Sequence, residues 1–239
     1  MKKIFLLLYC FSISYGQQKI KFSELQLIGM SEISMIKNQE FQLLPQAANS
    51  FELMKKAALK DSVNIKIVSS FRCFDQQKKI WNRKFEKNNS LGLSKIENIF
   101  KIIEYSTIPG TSRHHWGTEI DIIDGNINPE GDVLLSEKFY DNGPYVRLKK
   151  WLDNNSEEFG FYLVYTNNNA RKGFKHEPWH YSYAPLSIPI MNDFLDLDLI
   201  HVFSKYNING SSSFTNDFIN LYKENFLLGI NPDLKKEWN

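Results

Sequence analysis

Histidine is scarce in this chain, five residues among 239, and four of the five fall in two short windows. His114 and His115 are followed closely by Glu119 and Asp121, and His176 and His180 bracket Glu177. Imidazole nitrogen and carboxylate oxygen are ligand atoms that zinc accepts. A catalytic zinc site uses three protein ligands and keeps a fourth position for water. A single histidine is more often a satisfied core or surface residue. Two mixed windows, each at the edge of an expected strand, make metal-dependent hydrolysis the chemistry to look for.

The second window contains a trap. His176-Glu177-Pro178-Trp179-His180 matches H-E-x-x-H, the helix-borne zinc motif of many metalloproteases. That motif works because both histidines share one helical face. Pro178 inside such a helix would delete a backbone donor and clash with the preceding turn, at a cost of roughly 3 kcal/mol. The following Tyr181-Ser182-Tyr183 favours a strand. The helical reading therefore fails, His176 is not required as a ligand, and the informative pattern is Glu177-x-x-His180.

The first window gains meaning from strand periodicity. Across a strand over 117–123, Glu119 and Asp121 share one face while Ile120 and Ile122 share the other. The isoleucines face a core, and the acids face whatever site the strand supports. For Glu119 a plain solvated face is the competing reading.

The elements that must hold these windows can be read in outline. Pro45 and the apolar positions Ala47, Ala48, Phe51, Met54, Ala57 and Ala58 predict a helix with proline in its first turn. Alternation over 64–68 predicts a strand ending at Ser69-Ser70. A helix over 75–85 follows, with Ile80, Trp81 and Phe85 inward. The capping box Ser94-Lys95-Ile96-Glu97 opens another helix, to Tyr105. A second strand spans 118–123, a helix spans 144–159 with Gly160 as its stop, and further strands span 161–165 and 179–183. Beyond Pro185, helices are expected over 190–206 and 214–228. Helices mixed with short strands, without regular β-α-β alternation, predict an α+β fold: a small sheet carrying the metal site, flanked by helices.

These residues carry a family resemblance. Ser112-Arg113-His114-His115-Trp116-Gly117-Thr118-Glu119-Ile120-Asp121 resembles the S-x-H-x-x-G-x-x-x-D segment of D-alanyl-D-alanine carboxypeptidases and dipeptidases of the vancomycin-resistance type. Glu177-Pro178-Trp179-His180 resembles their E-x-W-H segment. Ser69-Ser70-Phe71-Arg72 is similar to their S-x-[YF]-R segment, with Gln76 or Gln77 at about the expected distance. The three motifs stand in the family's order across roughly 45–185. The resemblance implies an antiparallel hedgehog/DD-peptidase-like sheet and one zinc ion per chain, held by His114, Asp121 and His180. It further implies Glu177 as the base that activates water, Arg72 as partner of the substrate or of a developing oxyanion, and Gln76 and Ser112 as substrate contacts. His115, Glu119 and Trp179 are candidates for a supporting shell. Glu119 departs from the family, which usually has small or apolar residues between the glycine and the aspartate.

Composition frames this reading. Hydrophobic residues are 42% and charged residues 23%, the balance of an ordinary globular protein. Lys2 and Lys3 precede an apolar run to Phe11, and Ser14-Tyr15-Gly16 offers small residues for a signal peptidase, a secretory layout. The run is too short to span a bilayer, where about 20 apolar residues are needed. Lipid attachment at Cys10 is the weaker reading, because Tyr9 stands where a small residue is wanted. Removal of residues 1–16 takes away two lysines and no acids, so the formal charge falls from +2 to 0, with no electrostatic case for nucleic acid. Cys73 then remains alone, which excludes an intramolecular disulfide. The expected organisation is a signal peptide over 1–16, a zinc peptidase domain over 17–185 and a helical C-terminal extension over 186–239. The expected substrate is a peptidoglycan stem peptide, cut first between D-alanines by an exported, periplasmic or secreted enzyme without a membrane span. Cleavage of an L-alanyl-D-glutamyl bond, or a non-catalytic zinc-stabilised cell-wall-binding module, are the alternatives.

Overall fold

The computed structural model describes residues 21–128 and 130–235. The expected signal segment and Cys10 lie outside them. Among the described residues no helix is long and apolar enough to cross a membrane.

Four short strands form one antiparallel sheet: β3 (Ile65–Ser69), β4 (Glu119–Asp124), β5 (Phe161–Leu163) and β6 (His180–Tyr183), in the order β3-β4-β6-β5. A separate two-residue pair joins β1 (Ile36–Lys37) to β2 (Gln42–Leu43), too short for alternation to betray it. The α+β expectation holds. One face of the sheet is apolar: Ile120 and Tyr181 are opposed in register, as are Phe161 and Tyr183. After a first short helix, α1 (Glu24–Leu27), comes α2 (Pro45–Lys60), which packs against that face with Phe51 meeting Phe161 edge-on at 6.4 Å. Directly opposed residues point to the same side of a sheet, so the other face belongs to Glu119, Asp121, His180 and Ser182.

Several elements differ from the sequence expectation at their ends. The helix after β3, α3 (Phe74–Ser90), runs a full turn past Phe85 through Lys87, Asn88 and Asn89, where exposure removes the apolar signal. Its partner α4 (Lys95–Ile102) starts on the expected capping box but stops short of Tyr105. The helix α5 (Val146–Asn155) gives way to a 3-10 turn, Ser156–Phe159, and ends at Gly160 in the left-handed region (φ 74°). The long helix expected over 190–206 is two, α6 (Ala184–Leu195) and α7 (Leu199–Lys205). Asp198 breaks the run by capping α7, its carboxylate accepting from the Ile200 and His201 amides. Last comes α8 (Asn216–Tyr222), continued by a π-type turn, Lys223–Leu227.

These later helices share the core. Phe194 of α6 lies 5.6 Å from the Trp116 ring. The Tyr222 hydroxyl of α8 accepts from the Ile108 amide at 3.1 Å and hydrogen-bonds the Thr111 hydroxyl at 2.9 Å. The Asn209 carbonyl accepts from the Trp81 indole at 2.8 Å. The C-terminal helices thereby brace the 108–111 turn that leads into the first histidine window.

Candidate metal centre and active site

The site is assembled by register. Asp121 of β4 stands opposite His180 of β6, and Glu119 stands opposite Ser182. His114 arrives from the segment that precedes β4, a 3-10 turn Arg113–Trp116 closed by Gly117 in the left-handed region (φ 69°). A side chain at Gly117 would meet Met35 and the Leu44 backbone, so the chain can turn into β4 there only as glycine. Glu177 enters through a β-turn in which the His180 amide bonds the Glu177 carbonyl at 3.1 Å. Pro178 takes the second position of that turn, where its fixed φ is favoured. The H-E-x-x-H segment is thus a turn and a strand start.

Ligand atoms of His114, Asp121 and His180 all lie within 4.8 Å of one another, and all three residues are buried. His114 Nε2 is 3.3 Å from Asp121 Oδ2, and His180 Nδ1 is 3.6 Å from Asp121 Oδ1. The far nitrogen of each ring is already committed. His114 Nδ1 donates to the Ser70 carbonyl at 2.6 Å, and His180 Nε2 donates to Glu119 Oε2 at 3.0 Å. Such outer partners fix which nitrogen presents a lone pair to a metal. Asp121 Oδ1 is buried with no hydrogen bond among the described residues, a costly state unless a cation faces it. The donor set therefore fits a zinc ion.

Glu177 Oε2 lies 3.1 Å from His180 Nδ1. Burial pushes the Glu177 carboxyl up, against the opposing pull of His180. Burial also opposes a charge on His180, yet Glu119 and Glu177 overcome it and raise its pKa to about 10. Without a metal, His180 is therefore a buried imidazolium among three carboxylates, and a cation there displaces its Nδ1 proton. Asp121 is held below its ordinary value despite burial, chiefly by His114.

Behind His180 sits a buried network, in which Arg113 Nε and Nη1 have no hydrogen-bond partner among the described residues. Glu119 accepts from Ser182 Oγ at 2.6 Å, from Thr118 Oγ1 at 3.0 Å and from Arg113 Nη2 at 3.2 Å. Arg113 also donates to Ser182 Oγ at 2.8 Å and lies over the Trp116 ring, 4.9 Å from its centroid. Burial would raise the Glu119 pKa, but Arg113 and then His180 bring it to about 2. Glu119 is therefore a fully buried, ionised support of His180 and not a solvated strand residue.

The remaining candidates are dispersed. Arg72 faces the cluster, its Nη2 3.8 Å from Asp121 Oδ2, steadied by Ser69 Oγ at 3.0 Å and Gln77 Oε1 at 2.8 Å. Gln76 is turned away: it is exposed and caps α3 by accepting from the Cys73 amide at 2.9 Å. The buried Gln77 takes its place, one residue being enough to move a helical side chain by 100°, between inner and outer faces. His115 does not approach the cluster. Its Nδ1 donates to the Arg72 carbonyl at 2.6 Å and its Nε2 accepts from the Gly110 amide at 3.2 Å. Burial holds it neutral, with a pKa near 3. A side chain at Gly29 would strike that ring at 2.4 Å. Ser112 and Trp179 line the cavity wall. His176 bonds the Tyr165 carbonyl and the Tyr140 hydroxyl, both at 2.6 Å, outside the cluster.

The cluster opens on a cavity of about 490 Å³, bounded on its far side by α3 and by segments near residues 105–107 and 132–137. Arg113, Tyr165 and Lys84 are site residues that no motif had singled out. Tyr165 sets its ring edge against His180 at 5.1 Å. Only the i, i+3, i+7 spacing of Gln77, Ile80 and Lys84 on one face of α3 could have signalled the cavity wall in the sequence.

Three convergent ligand atoms, a neighbouring carboxylate and an open cavity meet the requirements of a metal-dependent hydrolase, and fold and site together define that class. More particularly, residues 40–186 match the family model described as VanY, D-alanyl-D-alanine carboxypeptidase, and the chain belongs to this family. A Haemophilus influenzae protein of unassigned function is 43% identical over 82 residues, 34% of this chain and 63% of its own. A D-alanyl-D-alanine carboxypeptidase of Enterococcus faecalis is 25% identical over 158 residues, 66% of this chain and 52% of its own. The chain thus spans between about half and two thirds of the curated relatives it matches. Two solved structures share the fold at a TM-score of 0.52. VanYB in complex with D-alanine-D-alanine is 20% identical, over 74% of this chain and 91% of that one. A VanY D,D-pentapeptidase variant in complex with Zn(II) is 21% identical, over 68% and 84%.

Proposed function

We propose that the chain is an exported zinc peptidase acting on peptidoglycan stem peptides, with the bond between two D-alanines as its first assignment. The observation that carries this is the Asp121-His180 register, which sets both residues beside His114 and leaves Glu177 next to them. His114 Nε2, an Asp121 carboxylate oxygen and His180 Nδ1 would hold the ion. When bound, zinc supplies Lewis acidity that brings the pKa of water to roughly 7 and polarises a carbonyl.

The rest falls to the protein. Glu177, desolvated and therefore a stronger base than an exposed glutamate, takes a proton from the attacking water and returns it to the leaving amine. Arg72 is aimed at the same space by Ser69, by Gln77 and, through its backbone, by His115. Its permanent charge steadies the substrate carbonyl oxygen as negative charge develops there. Glu119 and Arg113 keep the His180 ring from rotating. The described residues past 185 are proposed to belong to the catalytic unit, since they brace the 108–111 turn.

The test is metal analysis of the purified protein together with mass spectrometry of muropeptides after digestion. The expected result is one zinc per chain and pentapeptide stems shortened by one alanine, with Glu177→Ala retaining zinc and leaving the stems intact. Zinc-loaded protein that leaves every muropeptide unchanged would overturn the proposal.

A further inference from the structure

His176 takes no part in the metal cluster, yet three segments meet on it. Its Nδ1 lies 2.6 Å from the Tyr165 carbonyl, just past β5. A carbonyl only accepts, so Nδ1 carries the proton and Nε2 presents a lone pair, which accepts from the Tyr140 hydroxyl at 2.6 Å. Burial lowers the pKa of the ring and keeps it in this neutral form, against the pull of the Tyr165 carbonyl. The His176 carbonyl in turn accepts from Ser136 Oγ at 3.2 Å. Ser136 and Tyr140 belong to the segment over 132–140, which supplies Asp132, Leu134, Leu135 and Glu137 to the cavity wall. The next residue in the chain is Glu177, whose amide donates to the same Tyr165 carbonyl at 3.2 Å. Among the described residues, both hydrogen bonds between this wall and the segment over 176–180 therefore end on His176. Phe139 also packs on Trp179, with 6.0 Å between ring centroids. A ring contact tolerates sliding, whereas hydrogen bonds are directional and resist it.

We propose that His176 is a positioning residue: it holds the 132–140 wall in alignment with Glu177, so that a peptide lying against the wall presents its scissile carbonyl to the base. This rests on the peptidase reading and adds to it a residue outside both the metal cluster and the cavity lining. A misplacement of about 1 Å can cost roughly 100-fold in rate, so a partial loss of alignment is measurable. A histidine that served stability alone would leave kcat where it is.

The test uses zinc-loaded wild type, His176→Asn, His176→Gln, Tyr140→Phe and the double variant His176→Asn/Tyr140→Phe on N-acyl-lysyl-D-alanyl-D-alanine. Asparagine places an amide donor near the Nδ1 position and keeps the Tyr165 bond, but does not reach Tyr140. Glutamine carries its amide to about the Nε2 position and can accept from Tyr140. His176→Asn and Tyr140→Phe should each lower kcat about tenfold, with KM within about threefold of wild type and zinc content unchanged. The double variant should be no slower than the slower single variant, because both changes break one bond. His176→Gln should recover most of the lost kcat. Single variants at wild-type kcat, losses confined to KM or to thermal stability, or losses that multiply in the double variant overturn the inference and leave the zinc peptidase intact. A zinc-loaded wild type that leaves the probe uncut overturns the peptidase reading, and the inference with it. Should His176→Asn fold poorly, Tyr140→Phe decides alone, since it removes a single oxygen, and an unchanged kcat there counts against the inference.

Discussion

The two sides of the cavity are built on opposite principles. On the sheet side, His114, Asp121, His180 and Glu119 are buried and bound into one network through Ser70, Ser182 and Arg113. On the helix side, Lys84 and Ser106 hold one another and little else, and the wall is assembled from loops near residues 105–107 and 132–137. A metal site must impose geometry before its ion arrives, and a buried network of charge-assisted hydrogen bonds does this. The geometry is thus fixed on the sheet side, where Asp121 Oδ1 and the Nε and Nη1 of Arg113 are nonetheless buried without hydrogen-bond partners among the described residues.

The largest effects should come from the sheet side. Asp121→Asn keeps the shape but removes the charge that faces both histidines. Zinc should be lost on dialysis and hydrolysis should fall below detection; an Asp121→Asn protein that keeps stoichiometric zinc would place the ion elsewhere. Glu177→Gln should keep the metal and lose about 10²- to 10⁴-fold in kcat, the usual worth of a positioned base. The pH profile sharpens this. Burial raises the Glu177 pKa above its ordinary 4.5, so its base form disappears as pH falls, and does so at higher pH than in an exposed glutamate. The acid limb of kcat/KM should therefore lie above 4.5 in the wild type, and an acid limb at or below that value would count against Glu177 as the base.

How much of this was legible in the sequence follows the same division. Strand alternation was enough to put Glu119 and Asp121 on one face, because a period of two leaves no freedom once Ile120 and Ile122 seek the core. Pro178 was enough to exclude a helix. The pairing of Asp121 with His180 could not be read, since register between strands 59 residues apart in sequence is a tertiary fact. Nor could the Arg113-Glu119 pair: a solvated face was the competing reading for Glu119, and both residues proved buried. Gln76 and Gln77 are adjacent and chemically identical, and only the phase of α3 against Arg72 selects the second. The helix side was least legible of all, for Lys84 lies in a run of charged residues and becomes a cavity residue only when α3 docks against residue 106.

Smaller effects probe the supports. Glu119→Gln keeps an acceptor for His180 but not its charge. Zinc affinity, measured by chelator competition, should weaken about 10- to 100-fold, as for other outer partners of metal-binding histidines. Unchanged affinity would mean that the network behind His180 serves folding alone, and the contrast between the two sides would lose its basis. Tyr222→Phe tests the support from the C-terminal helices at the modest end. It removes a hydroxyl that accepts from the Ile108 amide and bonds Thr111 in a buried setting. The orphaned amide should cost about 1–3 kcal/mol of stability in denaturant unfolding, with zinc content unchanged, because Tyr222 touches neither metal cluster nor cavity. A drop in zinc affinity in that variant would show that the 108–111 turn transmits strain to His114, and would join the C-terminal helices to the rigid side of the comparison.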